Sequence, residues 1–279
     1  MSNSPLITAR ELHEQLSAGE RPVLLDVRWQ LGDPHGHEHY LAGHLPGAVY
    51  VDLDTELARP GAPRDGRHPL PEPADLQAAA RGWGLRTGEP VVVYDAVRAT
   101  AAARAWWLLR WAGVAVVRVL DGGLDAWTAA GFALETGEVI PEPGDIVLES
   151  GRLPSIPLDR VPAYVREGVL LDARAGERYR GETEPIDPHP GHIPGAISAP
   201  TTANLGPDGR FLPAAELRRR FTDLGVRADR PTGVYCGSGV TAAHQILALQ
   251  VAGFDAALYP GSWSQWSNHA DLPRARGAE

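Results

Sequence analysis

The chain carries a single cysteine, Cys236, and its neighbours read as a reaction centre. It closes the apolar run GVYC, is followed by GSGVT, and then by the helical stretch AAHQILALQVAG. That order is strand, glycine-rich turn, helix. In open α/β sheets, sites lie outside the carboxyl ends of the strands. Gly237 and Gly239 are expected to take positive φ, which would turn the backbone N–H groups of Gly237, Ser238, Gly239, Val240 and Thr241 inward on one point. The helix that follows adds its N-terminal partial positive charge. A thiol placed there is expected to react as the thiolate. The same donors would hold an added sulfur atom as a persulfide anion. The competing reading is a buried, inert cysteine at a strand end.

Two other functions fit parts of this pattern. A cysteine phosphatase needs an arginine six residues after its cysteine, and that position holds Ala242. A non-catalytic binding or sulfur-relay module is the second alternative, because half of the chain lacks the cysteine altogether.

That half is visible as an internal repeat. LLDVR at 24–28 returns as LLDAR at 170–174, and GHLPGA at 43–48 as GHIPGA at 191–196. VVVYDA at 91–96 is answered by TGVYCG at 232–237, and DGGLDAW at 121–127 by PGSWSQW at 260–266. Matches in one order and at similar offset indicate a duplicated domain. The position equivalent to Cys236 is Asp95, which cannot carry sulfur, so the first copy is expected to be catalytically inactive.

Each copy alternates short apolar runs with helical patterns. The Val- and Leu-rich runs suit strands buried on both faces. Thr8 and Glu11 form a capping-box pattern ahead of a helix over 9–16, and Gly113 stops another that begins at 100. The expected fold is α/β, with two tandem domains, each a mainly parallel sheet flanked by helices. The boundaries read as an N-terminal domain at 1–134, a Pro/Gly-rich linker at 135–157 and a catalytic domain at 158–279.

Composition narrows the partners. The 279 residues carry a formal net charge of −9, which leaves no basic footprint for nucleic acid. An anionic substrate must be captured by a local cationic pocket. No apolar run is long enough for a membrane span. The N-terminus has no secretory pattern, so the cytoplasm is the expected compartment.

The paired DxR, GHxPGA and VYC-G-x-G-V-T segments resemble the two-domain rhodanese sulfurtransferases over about residues 5–270. The resemblance implies an enzyme that takes sulfur from a small anionic donor onto Cys236 as a persulfide. A thiol such as thioredoxin, or cyanide, then removes it, and no cofactor is required. CGSGVT looks like the loop of the 3-mercaptopyruvate branch, which makes that donor preferred and thiosulfate the alternative. RYRG resembles the segment whose first arginine, here Arg178, binds the donor. VDLDTELA and RDGRHPLP resemble the stretch that lends Asp54 and His68. With Ser238 these imply a Ser–His–Asp relay that protonates the enolate left when sulfur departs. One departure stands out: EP at 184–185 is followed by Ile186 and Asp187, where the mercaptopyruvate branch usually has a second arginine.

Other motifs are expected to be structural. His35, His37 and His39 read as a solvated loop, not a metal site, and His44 and His192 as turn residues of the GHxPGA repeats. Arg174 is expected to pair internally. Asn204 is expected in a turn, and Trp263 and Trp266 are candidates for a cleft wall.

Overall fold

The structure is a computed structural model and describes residues 4–278. The chain forms two compact units. One takes the chain up to Ala58, Pro71–Leu153 and Asp208–Arg210. The other takes Arg59–Leu70, Pro154–Pro207 and the chain from Phe211 onward. Residues 59–70 lie inside the first repeat by sequence, yet they pack with the second unit.

The first unit holds β1 (Leu6–Ile7), β2 (Val23–Asp26), β3 (Val49–Tyr50), β4 (Val91–Tyr94) and β5 (Val117–Leu120) in the order β1-β5-β4-β2-β3. The second holds β6 (Val169–Asp172), β7 (Ile197–Ser198), β8 (Thr232–Tyr235) and β9 (Ala257–Leu258) in the order β7-β6-β8-β9. Every strand pair in both sheets is parallel. The α/β reading and the duplication are therefore correct. β4, β6 and β8 are buried at all four positions, as expected for strands covered on both faces. The helix Ala9–Ser17 begins at Thr8 with the capping box in place. The helix from Thr100 ends at Trp111, and Gly113 follows with φ +92.

The repeated motifs turn out to be one hydrogen-bonded frame built twice. Arg28 grips Asp26 at 2.7 Å and reaches the Gly43 carbonyl at 2.9 Å. Arg174 grips Asp172 at 2.6 Å and reaches the Gly191 carbonyl at 2.7 Å. The histidines of the GHxPGA turns stack on Tyr40 and Tyr179 and hydrogen-bond those residues' carbonyls. The Leu45 and Ile193 N–H groups donate to the Tyr94 and Tyr235 hydroxyls. Each frame locks the loop after β2 or β6 against the central strand β4 or β8. Those two central strands lead into the Asp95 and Cys236 loops.

Residues 135–153 run along the first unit. Glu135 bridges to His44, and the N–H groups of Gly144, Ile146, Glu149 and Arg152 all donate to carbonyls of that unit. Ser155 then bridges to Leu258 beside β9.

The Asp95 loop shows what the frame supports. The Asp95 side chain is fully buried and accepts four backbone N–H groups, from Val97, Ala99, Ala101 and Ala102, at 2.8–2.9 Å. Arg98 and Ala99 adopt left-handed φ of 59° and 65° to aim them. Burial pushes the Asp95 carboxyl up, and the four amides pull against it. Removing the acceptor strands buried donors, at roughly 1–3 kcal/mol each and less than additively. Asp95→Ala should therefore cost about 3 kcal/mol or more, read as a large drop in thermal midpoint. A midpoint within a degree of wild type would show that the loop holds without its carboxylate.

Candidate active site

The second unit collects most of the residues singled out by the sequence. Cys236 follows β8 directly and is 1 % exposed. The Gly239 N–H donates to its Sγ at 3.1 Å. Gly239 has φ +84 and caps the helix Val240–Val251, so the turn that points this amide at sulfur requires a left-handed residue. Val240 and Thr241 form the helix's first turn, where N–H groups have no partner within the helix.

Gly237 departs from the expectation. Its φ is not positive. A Cβ there would lie 2.9 Å from Arg67 Nη2 and 3.5 Å from Arg178 Nη1. This glycine therefore gives room for two guanidinium groups to approach the loop.

Those two arginines share one carboxylate. Arg67 pairs with Asp187, and Arg178 Nη2 lies 3.3 Å from the other Asp187 oxygen and 2.6 Å from Glu184. Glu184 also takes the Arg174 guanidinium at 3.4 Å and the N–H groups of Ile186 and Asp187. Burial pushes the Asp187 carboxyl up, against the pull of Arg67 and Arg178. The Nε atoms of Arg67 and Arg178 are buried and have no hydrogen-bond partner among the described residues. Arg67 thus supplies a second guanidinium from a different segment from the one the sequence suggests.

His68 is buried beside Arg67, and its Nδ1 lies 2.7 Å from Ser238 Oγ. Both come from residues 59–70, which dock on the turn that opens the helix Ser262–Ser267. The Arg67 N–H donates to Ser264 Oγ at 3.1 Å. Gly66, at φ +91, lies so close that a Cβ would meet the Gly261 carbonyl at 2.8 Å. The fourth expected residue, Asp54, belongs to the first unit. It sits in the short helix Leu53–Glu56, capped by Asp52, and accepts the Trp29 indole N–H at 3.0 Å.

The remaining candidates separate cleanly. Arg174 is buried against Asp172 and Glu184, with its guanidinium 4.8 Å from the Trp263 ring. Arg180 is exposed and pairs with Glu182. Trp263 and Trp266 are core residues, not walls: both are buried in one cluster with Leu170, Tyr235 and Ala257, and the Arg174 guanidinium lies over the Trp263 ring. Asn204 is no simple turn residue. It is buried and bonds Thr201, Gln245 and Arg220, so its short amide ties three elements together. His35, His37 and His39 pair with Glu38, Glu138 and Asp33. Among the described residues no group of three His, Cys, Asp or Glu is placed to hold a metal, and no helix is long and apolar enough to cross a membrane.

Sequence reasoning overlooked Arg67, although it stands next to His68. It also overlooked the turn at 262–264, whose Trp263 and Ser264 N–H groups donate to the Cys236 and Gly237 carbonyls. The only hint of the latter was that Ser262 stands where the first copy has Gly123.

Comparison with known proteins identifies the family. The rhodanese-like domain matches residues 8–130 and again 160–269. The "Putative thiosulfate sulfurtransferase SseB" of Mycobacterium tuberculosis is 48% identical over 275 residues, covering 98% of this chain and 97% of its own. The "Probable 3-mercaptopyruvate sulfurtransferase" of Pseudomonas aeruginosa is 46% identical over 288 residues, covering 99% and 100%. Among solved structures, the 3-mercaptopyruvate sulfotransferase SseA of Escherichia coli aligns with a TM-score of 0.83 at 32% identity, over 94% of this chain and 99% of its own.

The Gly237 contacts give a direct test. The atoms that a Cβ would meet are the ends of flexible side chains, so Gly237→Ala should fold normally. It should displace the Arg67 guanidinium, which a Cβ would meet at 2.9 Å, leave Arg178 at an ordinary contact of 3.5 Å, and raise the donor KM several-fold, with the thermal midpoint within about 2 °C of wild type, as for a substitution that leaves the core intact. An unchanged KM would mean that Arg67 does not hold the donor.

Proposed function

Because the chain belongs to the rhodanese family and is a sulfurtransferase, we propose that it takes its sulfur from 3-mercaptopyruvate. The observation that carries the choice is the hydrogen bond between Ser238 and His68. Sulfur donors differ in what they leave behind. Thiosulfate loses sulfite, a stable dianion that needs no proton. Mercaptopyruvate loses an enolate, which needs one at carbon. A Ser–His pair on the sulfur loop is useful for the second reaction and idle in the first.

The steps balance as follows. The Cys236 thiolate attacks the donor sulfur, the sulfur–carbon bond breaks, and its electron pair passes to the pyruvate enolate. The S–H proton of the new persulfide moves through Ser238 and His68 to the enolate carbon, giving pyruvate and a persulfide anion. Arg178 and Arg67 bind the donor carboxylate as a charge-assisted fork. The amides of Gly237 to Thr241 stabilise the terminal sulfur. An acceptor thiolate, such as that of thioredoxin, then takes this sulfur and restores the Cys236 thiolate. Cyanide would leave as thiocyanate. Asp54 enters this reading, as the carboxylate partner of His68, from the sequence resemblance alone.

Rates with mercaptopyruvate and thiosulfate, measured side by side, test the proposal. Mercaptopyruvate should be the faster donor. Ser238→Ala and His68→Gln should each slow it by about 100-fold, the usual scale for general acid–base catalysis, and leave thiosulfate within about three-fold. Asp54→Asn should follow the same pattern more weakly. Cys236→Ser should abolish both activities and the gain of 32 mass units. Faster specific turnover of thiosulfate, or equal losses with both donors, would overturn the donor assignment.

A further inference from the structure

We propose that Ser262 is a positioning residue for Cys236, holding the nucleophile's backbone through its side-chain hydroxyl. The inference rests on Cys236 being the sulfur carrier, and goes beyond that reading to the device that aims it.

Ser262 is fully buried and adopts φ +53, one of only three non-glycine residues in the left-handed region among the described residues. A serine there is strained relative to glycine. Its hydroxyl accepts the Cys236 N–H at 3.1 Å and donates to the Tyr259 carbonyl at 2.9 Å. The next two residues complete a clasp. The Trp263 N–H donates to the Cys236 carbonyl at 2.9 Å, and the Ser264 N–H to the Gly237 carbonyl at 2.8 Å. The backbone on both sides of the Cys236 Cα is therefore held from one short segment, 262–264.

The first copy provides the control. Gly123 stands at the equivalent position, at a φ of 56° close to that of Ser262. The Leu124 N–H donates to the Asp95 carbonyl at 2.9 Å, as Trp263 does to Cys236. The turn is conserved between the copies, and the hydroxyl is the addition. At Gly123 a Cβ would fall 2.3 Å from the Asp95 carbonyl, so that turn sits too close to admit a side chain. The copy that carries sulfur has both the room and the strained serine that fills it. The Asp95 side chain already anchors its own loop through four amides, whereas the Cys236 thiol receives the Gly239 N–H and has to stay free to react.

Two substitutions separate the hydroxyl from the backbone. S262A keeps the strain and loses the hydroxyl, and S262G loses both. Both should slow Cys236 persulfidation, followed as the gain of 32 mass units in single turnover, by about 10-fold or more, since small misplacement of a nucleophile costs on that scale. The loss should appear in kcat with mercaptopyruvate and with thiosulfate alike, with each KM within about two-fold, because Arg67 and Arg178 are untouched. S262G should melt at or above S262A, since glycine adopts this φ without strain. A wild-type rate in S262G would overturn the proposal even if S262A is slow, as would a rise in KM at unchanged kcat. If wild-type protein never gains the 32 mass units from either donor, the sulfur-carrier reading fails and this inference fails with it.

Discussion

A sulfur anion inside a protein needs donors that stay in place when charge arrives, and here that requirement falls on one turn. The Gly239 amide meets the Cys236 sulfur only because Gly239 is left-handed and the following helix starts at once. The loop itself carries no cation. The cationic groups stand to one side, on Arg67 and Arg178, with Asp187 between them and Glu184 pairing Arg178 as a further counter-charge. A neutral dipole thus faces the sulfur, and on the proposed reading the full charges serve the donor's anionic end. Dipoles stabilise an anion without binding it so tightly that it cannot react. Guanidiniums provide the stronger and more directional grip that anchoring needs.

The duplicated frame explains why such a loop can be held so closely. In both units a buried Asp–Arg pair, a stacked His–Tyr pair and a tyrosine hydroxyl secure the strand that delivers the loop. Buried ion pairs are weak sources of net stability but costly to disturb. Their repetition fits a role in fixing one geometry. At the end of the frame the copies differ in what they present: aspartate or cysteine, and glycine or serine in the clasping turn.

Much of this was readable from the chain. Strands, helices and the repeat follow from local apolar runs and caps, and the sulfur loop from contiguous residues. What was not readable depends on long-range approach. Residues 59–70 pack with the second unit because Gly66 and Ser264 fit together, and no local pattern announces that pairing. Arg67 therefore escaped notice although it faces Gly237. Gly237 reads in the sequence as a positive-φ turn residue, whereas the structure uses it to leave room beside the Arg67 guanidinium. Trp263 was placed in a wall because its sequence neighbours suggested a cleft, but the Arg174 guanidinium lies over its ring. The sequence suggests a turn residue at Asn204 because two of its partners, Arg220 and Gln245, lie on other helices, 16 and 41 residues away.

The strongest physical support for an anion on this loop comes from the copy that cannot make one from sulfur. The Asp95 carboxylate places its oxygens two bonds beyond Cβ, and four amides converge on them. A persulfide on cysteine places its terminal sulfur two bonds beyond Cβ as well. The comparison is between unlike atoms and slightly different loops, since the first copy has one more residue before its helix begins. It nevertheless fixes the relevant point: this strand–turn–helix frame can satisfy negative charge at that reach with backbone N–H groups alone. In the first unit the acceptor is built into the side chain and the loop is closed around it. In the second, the proposed sulfur arrives and leaves, so the loop has to be secured by something other than its own side chain.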